Sequence, residues 1–141
     1  MANIIPDAFK SELLSGTHNF ANGGNSFKIA LYTNISGYSA STSVYSATNE
    51  VSSSGTSYPA GGQALGSQAV AVASNVAFVD FADEVFSSVT LSAVGAIIYN
   101  DTKADKLVVV LDFGGTKTAT NGDFTIQFPA AGASTAILRI A

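Results

Sequence analysis

AVGAIIYN (93–100), KLVVVLDFGG (106–115), DFTIQFPA (123–130) and TAILRIA (135–141) follow one another at the C-terminal end of a 141-residue chain. Each run is short, rich in β-branched or aromatic residues, and bounded by Gly, Asn, Asp or Pro, which is the grammar of strands rather than helices. Four such runs with almost no chemically reactive side chain predict a scaffold. The near-continuous apolar segment Leu107–Leu111 predicts a central strand covered on both faces. Gly95, inside an otherwise bulky run, predicts a bulge or a close backbone approach.

Working towards the N-terminus, VFSSVTL (85–91) reads as a further strand. Before it, QAVAVA (68–73) and VAFVDF (76–81) flank a Ser74-Asn75 turn as a hairpin, with Phe78 and Asp80 on one face and Val79 and Phe81 on the other. SFKIALYT (26–33) alternates Phe27, Ile29 and Leu31 against Lys28, Ala30 and Tyr32, predicting a first strand with the former set buried. Turn signals recur about every 8 to 12 residues, the spacing of an antiparallel sandwich or barrel. PDAFKSELLS (6–15) is the one helix candidate: Pro6 suits a first helical position, Phe9 and Leu13 share a face, and Gly16 can end it. The predicted fold is all-β, an antiparallel β-sandwich of jelly-roll-like form with one short N-terminal helix, in a single domain over residues 1–141.

Residues 34–69 differ in kind, being rich in Ser, Thr, Gly, Ala and Tyr with isolated apolar residues at Ile35, Val44, Val51 and Leu65. A structureless loop of this length is improbable inside a compact domain, so short strands and turns, or a surface excursion with a binding role, are expected. Tyr38, Tyr45 and Tyr58 are candidate partner contacts, since tyrosine in a Ser/Gly/Asn setting offers large area for few rotatable bonds. Tyrosines packed over the sheet with wet hydroxyls are the structural alternative. Ile4 and Ile5 are candidate contacts too, in an apolar segment from Ala2 to Ile5 that reads as an arm reaching a neighbour, or as an edge strand or frayed end.

The composition bounds the function. Hydrophobic residues make up 47% of the chain and charged residues 11%, less than half the usual globular share of about 25%. A thinly charged, neutral-polar surface suits a subunit packed against copies or partners. The net charge of −4 and the scattered Lys10, Lys28, Lys103, Lys106, Lys117 and Arg139 argue against a nucleic-acid partner, which needs clustered cations. With no cysteine there is no disulfide framework, thiolate metal site or Cys nucleophile. No apolar run reaches the length of a membrane span and no secretion signal precedes the domain, so a soluble product of a cytoplasm, without a membrane partner, is expected.

His18 is the single histidine, and no G-x-S-x-G elbow exists to build a triad around it, so a structural turn histidine is expected. Asp80, Asp83 and Glu84, like Asp101 and Asp105, are close in sequence. Neither group has the ligand spacing, Gly and closing Glu of a calcium loop, and turn chemistry accounts for them. Asp112-Phe113-Gly114 lacks the other kinase signatures, and Gly114-Gly115-Thr116-Lys117 lacks the order of a phosphate loop. Asn34-Ile35-Ser36 and Asn100-Asp101-Thr102 match the glycosylation pattern by chance. No catalytic residue, metal site or cofactor is expected.

Taken together, DAFKSELLSGTHNF (7–20), SFKIALYT (26–33), NEVSSSGTSYPAGGQAL (49–65), GAIIYNDT (95–102), VVVLDFGG (108–115) and FTIQFPA (124–130) resemble a family of small tailed-bacteriophage virion structural proteins. The set covers nearly the whole chain and is distinctive only as a set. The resemblance is greatest to capsid decoration, or cement, proteins. It implies a non-enzymatic protein on the capsid surface, assembled in the host cytoplasm, whose partners are the major capsid protein and copies of itself. The symmetric form expected is a homotrimer at local three-fold positions. A tail, baseplate or tail-fibre component and a carbohydrate-binding module are the competing functions. The latter would use Tyr38, Tyr45 and Tyr58 but lacks the Trp that usually stacks on a sugar ring.

Overall fold

A computed structural model describes residues 3–141 of the chain. It contains one α-helix, α1 (Asp7–Leu14), a single 3-10 turn at Asp101–Lys103, and seven strands: β1 (Phe27–Tyr32), β2 (Gln63–Ala64), β3 (Ala69–Ala73), β4 (Val76–Asp80), β5 (Glu84–Asn100), β6 (Lys106–Ile126) and β7 (Leu138–Ile140). The fold is therefore all-β with one N-terminal helix, as the strand grammar predicts. Two antiparallel sheets form, in the orders β2-β1-β5-β6 and β3-β4-β7. The jelly-roll likeness stops at this two-sheet plan, since a single long β5–β6 hairpin dominates the larger sheet. No helix among the described residues is long and apolar enough to cross a membrane.

The helix begins one residue later than predicted. Pro6 is its N-cap, with extended backbone (φ −62°, ψ 149°), not its first helical residue. At the other end the Gly16 N–H bonds the Leu13 carbonyl (3.2 Å) and the Thr17 N–H bonds the Glu12 carbonyl (2.9 Å). That pair of bonds is a Schellman stop, and the left-handed φ of +74° at Gly16 makes it possible. Phe9 is the buried anchor of the helix; its ring lies 4.9 Å from His18 and 6.1 Å from Phe20.

The larger correction concerns strand count at the C-terminal end. VFSSVTL and AVGAIIYN are one strand, β5, and the runs KLVVVLDFGG and DFTIQF are joined into β6. The residues that look like turns are bulges. Register shifts fall between Phe86 and Val89, Val89 and Leu91, and Ala93 and Gly95. They coincide with left-handed backbone at Ser88 (φ 54°), Gly114 (φ 75°) and Asn121 (φ 48°). A bulge bends a strand and increases its twist without ending the ladder, so Phe86, Val89, Leu91, Phe124 and Ile126 turn back into the same core as Ile98 and Val109. Of TAILRIA only Leu138–Ile140 is strand, and it pairs with β4.

Gly95 is both a bulge site and a close approach: a Cβ there would lie 2.5 Å from the Leu111 carbonyl oxygen and 2.9 Å from the Ile35 side chain. The Leu107–Leu111 prediction holds for burial, all five residues being enclosed, but not for position: β6 is the last strand of its sheet rather than a central one, and isolated bridges from Ile4 and Val44 cover its outer edge. β1 departs from its predicted alternation because Ala30 and Tyr32 are as fully enclosed as Phe27, Ile29 and Leu31. The reason is that the larger sheet is covered on both sides. One face packs on α1, β4 and β7 through Phe9, Val79 and Leu138, with Phe20 and Phe81 from the adjoining segments. The other is covered by the 34–69 excursion, through Ile35 and Tyr38 against Tyr32, Ile97 and Val110.

Candidate interaction surface

The excursion is a strap. It leaves β1, crosses the sheet face, and pairs with the outer edge of β6, where the Tyr45 N–H bonds the Asp105 carbonyl and the Leu107 N–H bonds the Ser43 carbonyl, both at 2.9 Å. It then returns to β1, where Thr33 and Val51 N–H groups close bonds to Asn49 and Leu31. One carboxylate gathers its tyrosines. Glu50 accepts from the Tyr45 hydroxyl (2.6 Å), the Tyr58 hydroxyl (2.7 Å) and the Gly61 N–H (2.8 Å). The Tyr58 oxygen in turn accepts from the Leu31 N–H at 2.9 Å, and Tyr32 and Tyr38 both donate to the Ser46 carbonyl.

This places the three predicted contact tyrosines inward. Tyr38 and Tyr58 are buried, Tyr58 with its ring 5.4 Å from Phe86, and Tyr45 is half-buried with its ring stacked 4.7 Å from Tyr99. The expectation of exposed contact aromatics is corrected for Tyr38 and Tyr58, and their hydroxyls are not wet but bonded. Burial pushes the phenol pKa values of Tyr32, Tyr38, Tyr45 and Tyr58 upward, with the Glu50 charge adding to it. Their chemistry is that of rivets. The sequence signal was there to find: Glu50 is the one charged residue between Lys28 and Asp80, set among the tyrosines it holds.

Ile4 is also turned inward, exchanging N–H···O bonds of 2.9 and 2.8 Å with Val110 as a one-residue edge strand on β6. The arm reading is thus replaced by the edge-strand one at Ile4; Ala2 lies outside the described residues. Ile5 remains exposed.

His18 sits in a closed polar cluster. Asn100 Oδ1 accepts from the Thr102 and Lys103 N–H groups, which fixes its amide nitrogen as the donor to His18 Nδ1 at 3.0 Å. The other ring nitrogen, Nε2, therefore carries the proton and donates to Glu12 at 2.7 Å. Both nitrogens are spent, and desolvation lowers the imidazole pKa against the opposing pull of Glu12. The cluster ties α1 to the β5–β6 turn and offers no free base.

Three of the acidic groups close in sequence are engaged locally: Asp83 accepts from the Phe128 N–H, Glu84 from Gln63, and Asp101 pairs with Lys28. Among the described residues no three His, Asp or Glu side chains converge.

What the molecule does present is apolar surface. A groove of about 790 Å³ runs between α1 and the β3-β4-β7 sheet, lined by Phe9, Leu13, Leu14, Val70, Leu138 and Ile140 among others. Leu14 is 92% exposed and Ile140 58%, so its rim is hydrophobic and open. Sequence reasoning missed these residues because it assigned only Phe9 and Leu13 to the helix face and read QAVAVA (68–73) simply as one arm of a hairpin. The signal available was the pair Leu13-Leu14, which one face of a short helix cannot bury together.

A scan against protein-family models finds no match to this chain, and searches of curated proteins and of solved structures find none either.

Proposed function

We propose that this protein is a structural subunit of a tailed-bacteriophage virion, a decoration or cement protein that stabilises the head by binding the major capsid protein lattice, together with copies of itself. It works on the capsid surface by contact area and not by catalysis, and it assembles in the host cytoplasm. The observation that carries the reading is the open apolar face: Ile5, Leu14, Val70 and Ile140 are exposed large hydrophobics around one groove. Contiguous exposed apolar surface marks an interaction site.

Two further features support it. The sequence blocks quoted above resemble small tailed-bacteriophage virion structural proteins over nearly the whole chain, decoration proteins being the most similar in role. The body that bears the groove is stiffened, with a sheet covered on both faces and a strap riveted by tyrosines, which limits the ordering cost of binding. The burial of Tyr38 and Tyr58 removes most of the aromatic platform on which a carbohydrate-binding function would rest.

The test is a copy number and a position. Quantitative mass spectrometry of purified particles is expected to find the chain in stoichiometric proportion to the major capsid protein, and an electron-microscopy map to show it on the head lattice. A handful of copies, or density confined to the tail, rejects decoration in favour of a tail, baseplate or fibre role.

A further inference from the structure

The smaller sheet ends in an unguarded edge. β3 is Ala69-Val70-Ala71-Val72-Ala73, exposed at every position, and its one strand partner among the described residues is β4. Natural proteins blunt a free edge with a charge, a proline or a bulge. β3 has none of these: five consecutive pairs to β4 run without a register shift, and no charged residue lies between Glu50 and Asp80. The other outer edges are managed. β6 carries the Ile4 and Val44 bridges at its start, and Lys117, Asp123 and the Gly114-Gly115 bend further on, while β2 and β7 are two and three residues long.

The orientation of the backbone groups follows from the turn. Ser74 and Asn75 both have left-handed φ (50° and 64°), the mark of a two-residue primed turn, which closes on a hydrogen-bonded pair. That pair is Ala73 with Val76, so hydrogen-bonded pairs recur at Ala71 with Phe78 and at Ala69 with Asp80. The N–H and C=O groups of Ala69, Ala71 and Ala73 are thereby used within the sheet. Those of Val70 and Val72 point outward from the free edge.

We infer that β3 pairs antiparallel with β3 of a second copy of this chain, about a two-fold axis through Ala71. The segment is a palindrome, and an isologous interface demands self-complementarity of this kind. With Ala71 opposite Ala71 of the copy, Val70 faces Val72 and Val72 faces Val70, so the outward N–H and C=O groups of both valines are matched. All four valine side chains fall on one face. Val70 and Val72, 52% and 71% exposed in the single chain, then cover one another. The joined sheet reads β7-β4-β3-β3-β4-β7, and the two α1 grooves become one continuous apolar face. The absence of charge favours a copy over a charged partner, because identical edges bring no repulsion. The contact is two-fold, so it is distinct from the three-fold arrangement expected of a decoration protein. It stands on strand geometry whether or not the capsid reading does.

Because the chain has no cysteine, single-cysteine variants report the register. Across a non-hydrogen-bonded antiparallel pair the Cα atoms are about 4.5 Å apart, within disulfide reach. Full-length Ala71→Cys, incubated with oxidised glutathione, is expected to convert to a disulfide-linked dimer. Ala69→Cys or Ala73→Cys alone is expected to stay largely uncrosslinked, while a mixture of the two crosslinks to a heterodimer. Sedimentation of the unmodified chain is expected to show a dimer that the double variant V70K/V72K, at two exposed positions, turns into a monomer of unchanged circular dichroism. A monomeric unmodified chain, an Ala71→Cys protein that crosslinks no faster than Ala69→Cys, or a trimer that V70K/V72K leaves intact overturns the inference. An unmodified chain that is monomeric yet binds capsids would remove the pairing and keep the proposed function, and an unmodified dimer that ignores capsids would remove that function and keep the pairing.

Discussion

Glu50 and Tyr58 show what one carboxylate and one phenol can hold. The Tyr58 hydroxyl donates to Glu50 and accepts from the Leu31 N–H, so the strap, the β1 backbone and the core meet at one oxygen. Tyr58→Phe keeps the ring against Phe86 and deletes that oxygen, leaving the buried Leu31 N–H without its acceptor. A buried donor left unmatched costs about 1–3 kcal/mol. Urea titration is expected to show a lowered midpoint with an unchanged slope, and a midpoint equal to the parent's would show the bond contributes nothing. At this scale the sequence was partly legible. Tyrosine among Ser and Gly is a composition shared by binding loops and by packed straps, and composition does not say which way a ring points. The isolated acid between Lys28 and Asp80 was the better guide, because a lone charge in a neutral, Tyr-rich stretch calls for donors.

At the scale of elements, the lesson lies in β5 and β6. Gly114-Gly115 and Asn121-Gly122 are ordinary turn chemistry, and separate short strands on either side of them were the natural expectation. Left-handed backbone serves a bulge as well as a hairpin, so local residues cannot distinguish a strand that bends from one that ends. What distinguishes them is the partner strand, and pairing is non-local. The Ser74-Asn75 hairpin was legible because both of its strands lie beside the turn. Gly95 was legible as well, since a glycine in a bulky strand leaves few explanations. Gly95→Ala should force a methyl to within 2.5 Å of the Leu111 carbonyl oxygen and 2.9 Å of Ile35. Overpacking of this kind costs about 1–3 kcal/mol. A fall in Tm with the dimer state unchanged is the expected outcome, and a variant melting with the parent would mean that strand β5 shifts freely away from both neighbours.

At the scale of the whole molecule, the larger sheet is the middle of three layers, between the helix and smaller sheet on one side and the strap on the other. The apolar run at 107–111 announced a two-sided strand, but the second cover is made of Ser, Thr and Tyr and has no strand grammar, so the strap's course was not legible. Its chemistry makes the fold sensitive to alkali. Tyr32 lies against the strap and Tyr58 in the opposite core, and burial raises both phenol pKa values above the ordinary 10.0. The folded state therefore holds protons that the unfolded chain releases. This stabilisation is complete below pH 10 and is lost as pH rises through and beyond that value. Each such tyrosine removes about 1.4 kcal/mol per pH unit, against a total stability of about 5–15 kcal/mol for a domain. Tyr32 packs under the strap and Tyr58 carries the strap's return into the opposite core, so ionising these phenols should loosen strap and core together. Tyrosinate absorbance is expected to rise in one cooperative step, together with the collapse of the β-sheet circular dichroism, above pH 10. Smooth titration of the tyrosines around pH 10 with the sheet signal intact would show that the hydroxyls are open to water and that the strap is not riveted through them.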